Sequence, residues 1–326
     1  MDFQLSEDQQ ALKEGVRSFC DGRVSADQLR ELEKEGFDRA LWGELAEMGV
    51  FSLRVPESDG GVGLGSADAM VVFEELGRCL APGPLVWSHL LAGRVEGADT
   101  GECVVGGLDL MGGGDDPILV EHLAHIDALV VLRAAGVYRV TPGSLQGSPI
   151  STPLDPFTPV HHVASLPEGE RIADADTAAQ LRVEGAALAS SLMLGIAERT
   201  QEMATEYAKG REQFNRPIGS FQAIKHILAD MFVRQELARA AVYAAGATLD
   251  DPEVGSIQRA VSSAKLVAGE AAMKNARSCV QVHGGMGYTW EMPVHYYLKR
   301  TWVLENVFGG VEEHALRVAD EIGERA

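Results

Sequence analysis

Among the 326 residues of this chain no long apolar run occurs, aromatic residues make up only 6%, and there are four cysteines. Without a stretch of about 18 uncharged apolar residues, no membrane-spanning helix is expected. The opening Met1-Asp2-Phe3-Gln4-Leu5 carries no basic segment followed by an apolar one, so no signal peptide is expected. Cys20, Cys79, Cys103 and Cys279 do not fall at metal-ligand spacing. Free, mostly buried thiols in a reducing cytoplasm are the simplest account, and no metal site is expected. Positive charge is also scarce: 28 Lys and Arg stand against 48 Asp and Glu, a net charge of −20. Such a surface repels nucleic acid and anionic lipid, so neither is an expected partner. An anionic ligand must then be met by a local set of cations or backbone donors.

What is present is an apolar fraction of 46%, enough for a real core. The first hundred residues read as helical. Ser6 and Gln9 have the spacing of a capping box, and Leu12, Val16 and Phe19 then recur at helical spacing. Further helices are predicted around 39–48, 66–80 and 86–93, with a glycine-rich loop from Pro56 to Gly65 to which no ligand is assigned. From residue 101 the texture changes to short apolar runs between turn residues: Cys103 to Val105, Ile118 to Val120, Ala128 to Leu132 and Val137 to Val140. Helical periodicity returns near Thr177, with small residues along the apolar face of 177–210. Long helices are predicted at about 218–250, 253–284 and 293–307, then a final amphipathic one with Val311, Leu316 and Ile322 on one side. The fold class is α+β: helical domain 1–100, shortened β domain 101–175, and a four- or five-helix bundle 176–326. Glu202 reads as a solvated helix charge, and His226 and His283 as structural.

Two segments carry a resemblance. Tyr207-Ala208-Lys209-Gly210-Arg211-Glu212-Gln213-Phe214-Asn215-Arg216-Pro217-Ile218-Gly219-Ser220-Phe221-Gln222-Ala223 and Gln281-Val282-His283-Gly284-Gly285-Met286-Gly287-Tyr288 closely resemble the acyl-CoA dehydrogenase signatures. The opening Met1 to Ser6 and the loop Val55-Pro56-Glu57 to Gly60-Gly61 are also similar to that family. The resemblance implies an FAD enzyme that desaturates an acyl-CoA thioester. It implies that Arg211 grips the pyrophosphate of a flavin bound across a subunit interface, a task suited to a guanidinium fork. It further implies that Gln213, Phe214, Gln281, Gly284 and Gly285 contact the same cofactor, the glycines letting backbone come close to a bulky ligand.

The sequence departs from the family at the catalytic base. The family usually places a glutamate in an aromatic-Glu-Gly-Thr segment before the last helix. Here the segment is Val307-Phe308-Gly309-Gly310-Val311, and Gly309 stands at the glutamate position. Glu305, Glu312 and Glu313 lie nearby, but helix direction aims them elsewhere. Some members carry the base on the central helix, where the matching position is about Gly185. Its neighbour Glu184 is a weak candidate base, turned away by roughly 100°, and a helix-surface charge is its plainer reading. The β domain lacks the family's Thr-Glu-Pro-like turn and Trp-Ile-Thr-like strand, with no tryptophan between Trp87 and Trp290. The half-site for the flavin ring is thus eroded, while the half offered to a neighbour's flavin is kept.

This pattern is similar to the small subunits of actinobacterial heteromeric enzymes acting on steroid-derived CoA thioesters. The resemblance implies an α2β2 heterotetramer, a partner acyl-CoA dehydrogenase-like subunit that supplies the base, an acyl-CoA substrate and an electron-transfer flavoprotein as acceptor. Two other readings stay open: a self-sufficient homo-oligomeric dehydrogenase using Glu184 or another base, and a scaffold that binds no flavin.

Overall fold

The computed structural model describes residues 4–113 and 117–323. Met1, Asp2 and Phe3 of the opening motif lie outside the described residues. The chain starts with α1 (Glu7–Arg23), α2 (Ala26–Glu35), α3 (Arg39–Glu47), α4 (Ser66–Arg78) and α5 (Leu85–Leu91). The Ser6–Gln9 capping box forms as predicted. A second one, Ser25 with Gln28, starts α2, a helix that the apolar spacing alone did not single out.

Among the described residues the middle of the chain holds seven strands: β1 (Val105–Asp109), β2 (Ile118–Glu121), β3 (Ala128–Arg133), β4 (Gly136–Val140), β5 (Gly147–Pro149), β6 (Val160–Val163) and β7 (Glu170–Ala173). They form two sheets, ordered β1-β3-β4-β7 and β2-β6-β5. Strand β1 pairs parallel with β3, and every other pair is antiparallel. The apolar run of β3 is buried on both faces, as expected of a central strand. A buried ion pair, Arg300 to Asp155, fastens this domain to the helices behind it, and Arg300 also donates to Ala81 O at 3.2 Å.

The remainder is α6 (Ala175–Gly210), a hairpin of β8 (Glu212–Gln213) and β9 (Arg216–Pro217), α7 (Gln222–Asp250), α8 (Ile257–His283), α9 (Val294–Leu304) and α10 (Val311–Gly323). Three of these begin or end short of the predicted bounds, each for a local reason. Pro217 and a short 3₁₀ turn at Ile218–Ser220 delay α7. Pro252 starts another such turn, and the Ser256 side chain then caps α8. Helix α9 ends at Leu304, where Lys265 takes up its last carbonyls. The first strand runs 105–109 rather than 103–105.

Helix α6 is buried around most of its circumference. Its small residues let α4 cross it at backbone contact. A Cβ on Gly195 would stand 1.8 Å from Glu74 O, and one on Gly77 would stand 2.1 Å from Leu192 O. Beside this crossing lies a charge network that ties α1 to α4, α6 and α7. Lys13 and Arg239 reach Glu74 at 2.9 and 2.7 Å, and Arg17 bridges Glu75 at 2.7 Å and Glu198 at 3.0 Å. Glu202 is not the solvated charge the pattern suggested: it is half-buried and paired with Arg78 at 2.8 Å and Arg199 at 3.0 Å. Among the described residues no helix is long and apolar enough to cross a membrane, and no group of three His, Cys, Asp or Glu is placed to hold a metal ion.

Replacing Gly195 with alanine should cost about 2–3 kcal/mol, because the methyl group meets backbone that cannot rotate away. Urea unfolding measures this, and a loss below about 0.5 kcal/mol would show that the crossing is looser than described.

Candidate functional site

The turn between α9 and α10 is held from two sides. The Lys265 ammonium, on α8, donates to Leu304 O and Glu305 O at 3.0 Å each and to Gly309 O at 3.2 Å. From α10, His314 Nε2 donates to Phe308 O at 3.1 Å while its Nδ1 accepts from Ser262 Oγ at 3.1 Å. Burial pushes His314 down to about 4, so the ring is neutral at pH 7 and this tautomer is fixed. Phe308 and Gly309 both have positive φ, 56° and 106°. That backbone is unfavourable for a bulky residue and is maintained by its surroundings.

At Gly309 and Gly185, the two positions where the resemblance implies a base, the space a side chain would need is filled by this chain's own atoms. A Cβ on Gly309 would lie 2.9 Å from Glu313 Oε2 and 2.9 Å from His314 Nε2. A Cβ on Gly185 would lie 2.5 Å from the Phe308 ring. Phe308 is buried, with its centroid 4.7 Å from that of Trp87. Trp87 in turn lies against Gly107 of β1, where a Cβ would come within 2.2 Å of the indole. Beside this pair remains a cavity of about 180 Å³ lined by Trp87, Asp109, Leu119, Glu121, Val307 and Phe308.

The carboxylate closest to Gly309 is committed. Glu313 receives Arg182 at 2.5 and 2.9 Å and also Arg317. Burial works to raise its pKa, but Arg182 and Arg317 hold it below the usual carboxylate range. Arg182 also bridges to Asp109 at 2.6 Å, so one guanidinium joins β1, α6 and α10. Glu312 is exposed on α10, and Glu305 is half-buried at the end of α9. Glu184 is not on the helix surface: it is buried, paired with Arg54 at 2.5 Å, and accepts from Gln180 at 2.8 Å. It borders a different cavity, with Arg54, Asp59, His89 and Arg94. Gly185 faces Phe308 while Glu184 is turned one residue around the helix.

One acid was not foreseen. Glu121 ends β2 at the rim of the cavity beside Trp87 and Phe308. Burial pushes it up to about 7, with the nearby Arg300 opposing. Its surface is partly open, yet protein atoms surround the carboxyl. The only hint in the sequence is a charge closing the apolar run Ile118-Leu119-Val120.

The residues predicted to meet a cofactor lie at the other end of α6. Arg211 caps that helix, its N–H bonded to Tyr207 O at 2.8 Å. The hairpin that follows turns at Phe214 and Asn215, with φ of 54° and 59°, and leaves Phe214 87% exposed. A phenylalanine in that backbone conformation is unusual for a two-residue turn, which favours Asn and Gly. Arg216 lies over the Phe221 ring at 4.1 Å. Gln281 lies in the last turn of α8, Gly284 and Gly285 open the short 3₁₀ turn that follows it, and all three are exposed. Nothing lies within 4 Å of where a Cβ on Gly284 or Gly285 would stand, so a ligand has open access to the backbone there. The two segments are joined by a ring stack, Tyr207 on His283 at 4.1 Å, with His283 Nδ1 donating to Cys279 O at 2.8 Å. His283 is thus buried packing, while His226 is exposed on α7.

Residues 6–95 match the acyl-CoA dehydrogenase N-terminal domain and residues 177–323 the acyl-CoA dehydrogenase C-terminal domain. The chain belongs to the acyl-CoA dehydrogenase family. It is 32% identical to acyl-CoA dehydrogenase IpdE2 of Mycobacterium tuberculosis, over 98% of each chain. Among solved structures it is similar to the ChsE4–ChsE5 complex of M. tuberculosis, at TM-score 0.86 and 29% identity, covering 99% of both chains. It shares its fold with the steroid acyl-CoA dehydrogenase Tcur3481–Tcur3483, at TM-score 0.84 and 23% identity over 98% of both chains. The family comprises oxidoreductases acting on CH–CH bonds, with a small β domain between helical domains, as seen here.

The high pKa of Glu121 gives a pH test. A folded value of about 7 lies above the ordinary glutamate value of 4.5, so the folded state binds the extra proton between them. Stability from this group is present below pH 4.5 and is lost as pH rises through 7. Glu121→Gln should therefore gain in Tm over the natural chain progressively between pH 5 and 8. A difference in Tm that stays constant over that range would mean Glu121 is not held protonated.

Proposed function

We propose that this chain is the base-lacking subunit of a heteromeric acyl-CoA dehydrogenase. It lends its partner the binding face for the diphosphate end of FAD. The observation that carries this reading is the filled pair of base positions: Gly309 is abutted by Glu313 and His314, and Gly185 by Phe308. Glu313, the carboxylate against Gly309, is held by Arg182 and Arg317, and Trp87 packs on Phe308 beside it, which supports a chain that supplies neither the base nor the flavin-ring contacts.

The surface at the end of α6 fits the opposite role. Arg211 would fork onto phosphate oxygens, and a charge-assisted contact of that kind contributes roughly 1.5–3 kcal/mol. Gln281 would donate its amide nearby, and Gly284 and Gly285 leave the backbone open to approach. Gln213 and Phe214 stand on the exposed hairpin, where the aromatic ring would be covered by a partner. When bound, the flavin supplies the hydride acceptor for α,β-desaturation, and the partner subunit supplies the carboxylate that removes the α-proton. The similarity to ChsE4–ChsE5, a two-protein complex, supports this division of labour. The steroid enzyme among its structural neighbours supports a steroid-derived acyl-CoA as substrate. In this reading the assembly is an α2β2 heterotetramer in the cytoplasm, and electrons leave through an electron-transfer flavoprotein.

Expressed alone, the chain should be colourless and inactive, and co-expressed with its partner it should yield a yellow, desaturating complex. A yellow and active chain on its own would overturn the proposal and favour a self-sufficient enzyme. A complex that stays colourless would point to a scaffold. Within the complex, Arg211→Ala should weaken FAD retention about tenfold or more, measured by flavin release on dilution. Unchanged retention would remove Arg211 from the site. Gly309→Glu should not create activity in the chain alone, because the new side chain meets the Glu313 carboxylate.

A further inference from the structure

Helices α1 and α4 bring two thiols together. Cys20 Sγ lies 3.0 Å from Cys79 Sγ, although the residues are 59 apart in sequence. Both are free cysteines, 1% and 7% exposed. Non-bonded sulfurs normally stay further apart than this, and a disulfide requires closing to about 2.05 Å. Closure therefore needs a movement of about half an ångström from each side, which side-chain rotation in the last turn of α1 and at the end of α4 can supply. The other two cysteines have no such neighbour: Cys103 is half-buried at the start of the β domain, and Cys279 lies by His283 in the bundle.

We infer that Cys20 and Cys79 form an oxidation site, converted to a disulfide by a hydroperoxide. Cys79 is the more exposed of the two and reacts first. Its sulfur attacks the peroxide: an S–O bond forms, the O–O bond breaks, water leaves when hydrogen peroxide is the oxidant, and the product is a sulfenic acid. Cys20 sulfur then attacks Cys79 sulfur, the S–S bond forms, the S–O bond breaks, and a second water carries off the oxygen. Two thiols are oxidised by two electrons and one peroxide is reduced to two waters. Burial and the Cys79 contact hold the Cys20 thiol well above the usual range, so the reaction is slow and the site is a staple under sustained oxidation rather than a rapid sensor. The bond fastens α1 to α4 beside the Lys13, Arg17, Glu74 and Glu75 network, which already holds these helices together.

The test treats the full-length folded chain with hydrogen peroxide, then unfolds it in an alkylating agent and measures intact mass and the peptides of a non-reducing digest. Two of the four cysteines should escape alkylation, a Cys20–Cys79 linked peptide should appear, and a reductant should restore labelling at both. Cys79→Ser should return Cys20 to the labelled pool. The linked chain should also melt several degrees higher than the reduced one, since a long loop is closed in the unfolded state. Full alkylation of Cys20 and Cys79 after peroxide, or linkage of either to Cys103 or Cys279 instead, would overturn the inference.

Discussion

Helix α6 is approached closely at two of its glycines, Gly185 and Gly195, and the rest of the structure is arranged around what occupies them. At Gly195 the backbone of α4 comes so close that a single methyl group would overlap it. This sets the distance between the N-terminal helices and the bundle. At Gly185 the space is taken by Phe308, a buried ring in an unfavourable backbone conformation. One close approach builds the fold and the other closes the site. The closure is enforced by Lys265, whose ammonium gathers three carbonyls of the turn, and by His314, which takes a fourth. A buried cation with three acceptors is well satisfied, whereas the same carbonyls without it would be left unpaired in a dry region.

The consequence is an asymmetric protein. On one side, between the β domain and α9, Trp87 packs on Phe308 and Arg182 joins Asp109 to Glu313, and the proposed function reads this side as closed. On the other side, at the far end of α6, an arginine, open glycine backbone and an aromatic residue on a strained hairpin remain at the surface. Strain and exposure together are costly for a chain standing alone, and both make sense on a face that a partner covers.

Much of this was legible in the sequence, for specific reasons. The helix and strand segments follow from apolar period and turn residues, and the Arg211 and Gln281 segments are distinctive enough to place the family. A glycine at 309, in the turn before α10, could be read directly. What filled it could not, because Phe308 over Gly185 and Glu313 against Gly309 are contacts between residues far apart in sequence or turned by a left-handed backbone. The same limit applies to Glu184 and Glu202. Their spacing on α6 resembles a solvated face, yet Arg54 from the loop before α4 and Arg78 from α4 itself come to pair with them. Glu121 was missed because a single charge at the end of a short apolar strand carries no periodic signal. Its raised pKa comes from the surrounding tertiary packing.

In the proposed function one half of a shared site is closed and the other retained, and flavin stoichiometry tests that most directly. A complex of this chain with its partner, purified with both subunits in equal amount, should hold one FAD per heterodimer by absorbance against protein concentration. Two FAD per heterodimer would mean that this chain cradles a flavin ring of its own and would contradict the account.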